Sequence, residues 1–109
     1  YKKVFGLEEI ERGSNGTIYM SDGHVGVAII KPGCGNPLHS HPNCSEVLVV
    51  LKGRISHVIE DGVEIEMGEG DTITLPATLP HKASNIGDKD AALLIAFSSA
   101  DRQMKREEG

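Results

Sequence analysis

The sequence is poor in aromatic residues, in cysteine, in clustered positive charge and in long apolar runs, and each shortage closes off a class of protein. Phe5, Phe97, Tyr1 and Tyr19 are its only Phe, Tyr or Trp residues, so a pocket that stacks on a large planar, flavonoid-like molecule is disfavoured. The longest apolar stretch, Ala91 to Phe97, falls far short of the roughly 20 residues a membrane helix needs. A soluble chain without a membrane partner is expected. Two cysteines cannot build a disulfide framework. Cys34 and Cys44 are read as small buried or loop thiols in a reducing cytosol, with a disulfide between them, or pocket lining by Cys44, as the alternatives. Eleven Lys and Arg against 16 Asp and Glu leave a net charge of −5. The basic residues are scattered apart from a few at each end, whereas a phosphate backbone requires them clustered, so no nucleic-acid partner is expected. The chain opens at Tyr1 with neither Met nor a charged-then-apolar leader and reads as trimmed; the expected location is the cytoplasm, with a removed export signal left open.

At 109 residues the length suits one hydrophobic core and is too short for two, which makes 1–109 a single domain. Thirteen glycines and five prolines divide the chain into short apolar runs of strand length, at 25–30, 47–51, 54–60, 63–67, 72–75 and 91–97. Val63, Ile65 and Met67 alternate with Glu64 and Glu66, the pattern of a strand with one face buried and one in water. Asp61-Gly62 between two such runs predicts a two-residue hairpin turn, and Asp22-Gly23 a second, weaker one. Val47 to Leu51 is apolar at every position and so has something covering both faces, either a partner subunit or the N-terminal segment from Lys3 to Glu11. The charged tail 101–109 lacks an apolar stripe and is expected to fray or to form a short solvated helix. Many short strands and no convincing helix imply an all-β sandwich or barrel, since closure removes exposed strand edges. The Gly-x-Gly pairs precede no helix, which leaves a nucleotide-binding loop without support.

His39-Ser-His41 places two imidazoles on one side of an extended segment, close enough to chelate one ion. Glu46 follows at a distance that allows a turn and entry into the Val47 run, and His81 lies forty residues beyond His41. A His-x-His pair alone is common by chance, so the wider spacing decides. Gly33, His39, His41, Glu46 and Gly53 match G-x5-H-x-H-x4-E-x6-G over 33–53 with every interval intact. Gly70, Pro76, His81 and Asn85 match G-x5-P-x-G-x2-H-x3-N over 70–85, except that Thr78 stands at the inner glycine. These two motifs are those of the cupins, and the chain resembles that family over about half its length. The departure at Thr78 puts the turn before His81 in question, because a β-branched residue resists positive φ.

The resemblance implies a double-stranded β-helix, or jelly-roll barrel, in which His39, His41, Glu46 and His81 hold one divalent transition metal ion, Fe, Mn, Ni, Zn or Cu. Three imidazoles and a carboxylate suit those ions and suit calcium poorly. A barrel in which the four merely fill space is the alternative. His57 shares the apolar face of its run with Ile55 and Ile59; it is either a general acid or base lining the pocket or a core histidine satisfied by a neighbour. His24, beside Asp22-Gly23, is read as a turn residue. Cupins host many chemistries. The expectation is a metal-dependent enzyme, oxidoreductase or dioxygenase-like, acting on a small polar molecule that chelates the ion through two oxygens. A non-oxidative isomerase or lyase and a non-catalytic metal-containing binding or regulatory module are the alternatives. A homodimer is expected from the doubly apolar run and from the habit of the family.

Overall fold

Period-two burial is what makes the apolar runs strands. In the computed structural model, which describes residues 8–12, 17–21, 24–36, 38–59, 62–99 and 105–106, Glu46, Leu48 and Val50 turn inward while Val47, Val49 and Leu51 turn out. Eleven strands are described: β1 (Glu8–Arg12), β2 (Thr17–Ser21), β3 (Val25–Ile30), β4 (His39–Ser40), β5 (Glu46–Lys52), β6 (Ile55–Ile59), β7 (Val63–Met67), β8 (Thr72–Leu75), β9 (His81–Asn85), β10 (Ala91–Phe97) and β11 (Lys105–Arg106). They form a six-stranded sheet, β1-β2-β3-β10-β5-β8, facing a five-stranded sheet, β11-β4-β9-β6-β7. Every pairing between them is antiparallel. Among the described residues there is no α-helix, and no helix long and apolar enough to cross a membrane. This is the all-β jelly-roll barrel that the sequence led us to expect.

The strand registers stack the interior in layers. On the six-stranded sheet Phe97 pairs with Glu46, Ile95 with Leu48 and Leu93 with Val50. On the other sheet His81 pairs with Ile59, Ala83 with His57 and Asn85 with Ile55. Each sheet thus starts from a polar layer and descends to an apolar one. The apolar layers hold Ile30, Val50, Ile55 and Leu93, all but fully buried, and each such side chain contributes roughly 1.5–3 kcal/mol through removal from water. Asn85 closes this end: its Nδ2 donates to the carbonyls of Ile30 and Lys89, both at 2.8 Å, and its Oδ1 accepts the Gly87 N–H at 2.8 Å. Nearby, Gly53 sits at φ +87, and a Cβ there would lie 3.0 Å from the Ala91 Cα. Both its conformation and its contact demand glycine.

Several expectations are corrected. The β6–β7 hairpin pairs Ile59 with Val63, which leaves residues 60–62 between them, so the loop has three residues and not two. Gly62 takes φ +76, the left-handed position that three-residue hairpins reserve for glycine. Asp61 and the Asp22-Gly23 pair lie outside the described residues. Val63 was expected on the buried face and is 52% exposed, because it begins its strand beside that loop. In the tail, Lys105 pairs with Ser40 and Arg106 with His39 in β11, where a frayed or helical segment was expected; the rest of 101–109 lies outside the described residues. β1 lies at the far edge of its sheet, with β2, β3 and β10 between it and β5. Residues 3–7 of the same segment lie outside the description.

Candidate metal centre

Three short stretches of chain bring the four motif residues together. β4 supplies His39, its continuation supplies His41, β5 begins with Glu46 and β9 begins with His81. His39 and His81 face each other as register partners, with ring centroids 4.4 Å apart. The i, i+2 pair His39 and His41 is 5.0 Å apart, edge to face. Glu46 Oε1 stands 3.0 Å from His41 Nε2 and 3.4 Å from His81 Nε2. One donor atom from each of the four residues lies within 4.8 Å of all the others, and all four side chains are buried.

This arrangement fits a metal ion. Metal–donor bonds of about 2.1 Å set neighbouring donors about 3 Å apart around one ion, close to the spacings between Glu46 and its two histidines. His81 Nδ1–H donates to the Leu79 carbonyl at 2.9 Å, fixing the tautomer whose Nε2 lone pair points at the cluster, as an outer hydrogen bond to a ligating histidine does. That Nε2 is buried and makes no hydrogen bond. A cation placed between it and the carboxylate supplies what both lack.

The electrostatics agree. Burial pushes the Glu46 carboxyl up, but the hydrogen bond from His41, the close approach of His81 and the charge of both rings when protonated overcome it and lower its pKa to about 2. Burial pulls the His81 imidazole down, but the Glu46 carboxylate 3.4 Å away, which would accept a hydrogen bond from the protonated ring and attracts its charge, and the Leu79 carbonyl overcome it, so its pKa is raised. The carboxylate is therefore ionised and ready to ligate at any ordinary pH.

Thr78 corrects a further expectation. It adopts a left-handed conformation itself, at φ 72, so the turn takes positive φ without a glycine and the β-branched side chain bears the strain. Its N–H donates to the His41 carbonyl at 3.0 Å, and the Leu79 N–H to the Pro76 carbonyl at 3.3 Å. This clasp ties the loop before His81 to the loop after His39. Sequence reasoning did not find it, nor the packing of Phe97 edge-on against His41 at 5.1 Å.

His57 faces inward, as its alternation with Ile55 and Ile59 implied, and is completely buried. It lies one layer below His81, with ring centroids 5.6 Å apart. Burial, and then the charge of His81, push its pKa down to about 4 against an opposing pull from Glu46. It is neutral at pH 7. Among the described residues neither ring nitrogen has a hydrogen-bond partner. Cys44 is buried against the core and Cys34 is half-buried, with no disulfide between them. His24 is exposed ahead of β3, and its carbonyl accepts the Phe97 N–H at 2.8 Å.

A jelly-roll barrel with three histidines and a glutamate gathered inside defines a class of metal-site proteins. A cupin domain model matches residues 26–97, and the chain belongs to the cupin family. Germin-like protein 3-8 of Oryza sativa subsp. japonica is 36% identical over 87 residues, covering 76% of this chain and 37% of that protein. An oxalate oxidase in complex with the substrate analogue glycolate superposes with a TM-score of 0.68 at 25% identity, over 75% of this chain and 44% of that one. A mutant oxalate decarboxylase of Bacillus subtilis reaches a TM-score of 0.77 at 24% identity, over 94% of this chain and 30% of that one, and shares the fold. The chain spans only about a third to a half of the length of these proteins.

Proposed function

We propose that this chain is a metal-dependent enzyme that acts on a small organic molecule chelating the ion through two oxygens, with oxidative chemistry as its reaction class. The observation that carries the reading is the convergence of four buried donors, one of them an ionised carboxylate, on a single point. His39, His41, Glu46 and His81 would hold one Fe, Mn, Ni, Zn or Cu ion. Such an ion supplies a Lewis acid, and in its iron or manganese form a redox partner. Three neutral imidazoles and one carboxylate leave about one positive charge on a divalent ion, which favours an anionic chelator. The chain's own residues do the rest: Glu46 sets that charge, Leu79 orients His81, Phe97 backs His41, and buried surroundings exclude water. In this reading His57, which lies beside His81, would contact the substrate. With a pKa of about 4 it is a weak base, so contact by hydrogen bond suits it better than proton abstraction. Glycolate, bound by the similar oxalate oxidase, is a two-oxygen chelator of the proposed type.

Elemental analysis of natively purified protein, then oxygen consumption and calorimetry with a panel of hydroxy and oxo acids, test this. Metal at about one equivalent and chelator binding at millimolar concentration or below are expected. If no chelator binds while the metal stays in place, the catalytic reading falls. A redox-inert metal throughout favours a non-oxidative isomerase or lyase, or a binding module. A sugar phosphate isomerase of the cupin superfamily shares the fold at a TM-score of 0.70 and 23% identity, so the fold accommodates non-oxidative chemistry.

A homodimer belongs to the same proposal. On the outer face of the six-stranded sheet Val47 is 38% exposed, beside the half-buried Val49 and Leu51. That apolar face suits a second copy of the chain. Sedimentation at micromolar concentration is expected to show the dimer; a monomer sinks it. The cytoplasm is the location proposed with it, since two cysteines that form no disulfide with each other suit a reducing compartment.

A further inference from the structure

Beyond the four donors, the polar group hardest to account for is His57. It is 0% exposed, and neither Nδ1 nor Nε2 makes a hydrogen bond. A neutral imidazole always carries one N–H donor and one acceptor nitrogen, and buried groups of this kind are nearly always paired. Among the described residues it has no side-chain partner. Its cross-strand neighbours are Ile65 on one side and Ala83 on the other, and the inward residues of its own strand are Ile55 and Ile59. The ring instead lies beside His81, one layer below the donor cluster, at the boundary between the polar and apolar parts of the interior. Nothing in packing alone favours a histidine there over a leucine.

We propose that His57 is a specificity-determining residue, hydrogen-bonding a hydroxyl that the ligand carries beyond its two chelating oxygens. The inference rests on the chelation reading above and adds to it the class of ligand. A hydroxyl both donates and accepts, so it satisfies either ring nitrogen in either tautomer. A second anionic group fits poorly, because among the described residues no Lys or Arg is buried to neutralise it. The ligand is thus a hydroxy or oxo acid with one acidic end and a neutral, hydroxylated arm reaching toward the apolar layers.

The test compares 2-hydroxybutanoate with 2,4-dihydroxybutanoate, which differ by that hydroxyl, by calorimetry on metal-loaded wild type, His57→Leu and His57→Gln. Wild type is expected to bind the dihydroxy acid about tenfold more tightly. His57→Leu is expected to bind both equally, and His57→Gln to recover part of the preference. Ligand-free, metal-loaded His57→Leu is also expected to melt at or above wild type, because it removes two unmade hydrogen bonds. His57→Met serves the same comparison if the leucine variant does not fold. Equal binding of the two acids by wild type, or an undiminished preference in the leucine variant, overturns the assignment of His57 and leaves chelation standing. Failure of both acids to bind with metal in place overturns the chelation reading and this inference with it. Melting well below wild type in the leucine but not the glutamine variant makes His57 a structural residue paired through buried water, and also overturns it.

Discussion

The two ends of the barrel interior are built from the same strands and obey different chemistry. At one end Ile30, Val50, Ile55 and Leu93 fill space and need nothing else. At the other, His39, His41, Glu46 and His81 occupy equally buried positions of β4 and its continuation, β5 and β9, where a full apolar complement would have been more stable. The difference teaches that the apolar end carries the fold and the polar end spends stability on a site. His57 marks the boundary.

The sharpest way to break this division is a cavity at the apolar end. Leu93→Ala is expected to cost about 2–5 kcal/mol, equally with and without metal, measured by denaturant unfolding. A loss confined to the metal-loaded form would mean that the two ends are not separable. Metal removal comes next. With free ion at a hundredfold excess over its dissociation constant, binding adds about 2.7 kcal/mol, so chelation should lower the melting temperature of protein first shown to be loaded. Glu46→Gln should abolish that difference while the apolar core stays folded.

Acid acts on the polar end alone. In the metal-free protein His57 has a folded pKa of about 4, below the ordinary value of about 6.5, so the unfolded chain takes up the proton first. Stability should therefore fall as pH drops from 6.5 to 4, by about 3 kcal/mol if the full shift is realised. His81, whose pKa is raised, works the other way: its contribution is present below about 6.5 and is lost as pH rises through its folded value. Glu46, at about 2, contributes above about 4.3 and loses that contribution as pH falls through 2. His57→Leu should flatten the decline between pH 6.5 and 4; an unchanged slope would place the acid sensitivity elsewhere. The smallest effect is at the rim, where Thr78→Gly relieves a β-branched residue at φ 72. A gain of up to about 1 kcal/mol is expected, after the added flexibility of the unfolded chain is offset, with metal affinity unchanged.

Much of this was legible in the sequence because it rests on intervals. The spacing from Gly33 to Asn85 located all four donors, and strand periodicity placed His57 on the inward face. What escaped rests on tertiary support. Thr78 holds an unfavourable φ because its N–H is clasped by the His41 carbonyl, a bond no local rule foresees. The hairpin at Gly62 gained a residue because the pairing of Ile59 with Val63, set by which faces are buried, overrides the short-turn signal. Lys105 and Arg106 have no strand pattern and are strand only because β4 has an edge to offer.

That last pairing ties the far end of the described chain to the metal centre. Arg106 lies opposite His39, itself opposite His81, so β11 docks on the very strand that presents a donor. Two equilibria that share one element must influence each other equally. If docking of β11 steadies His39, then loading the ion tightens the tail by the same factor, and a protease cutting near Lys105 becomes a reporter of metal occupancy.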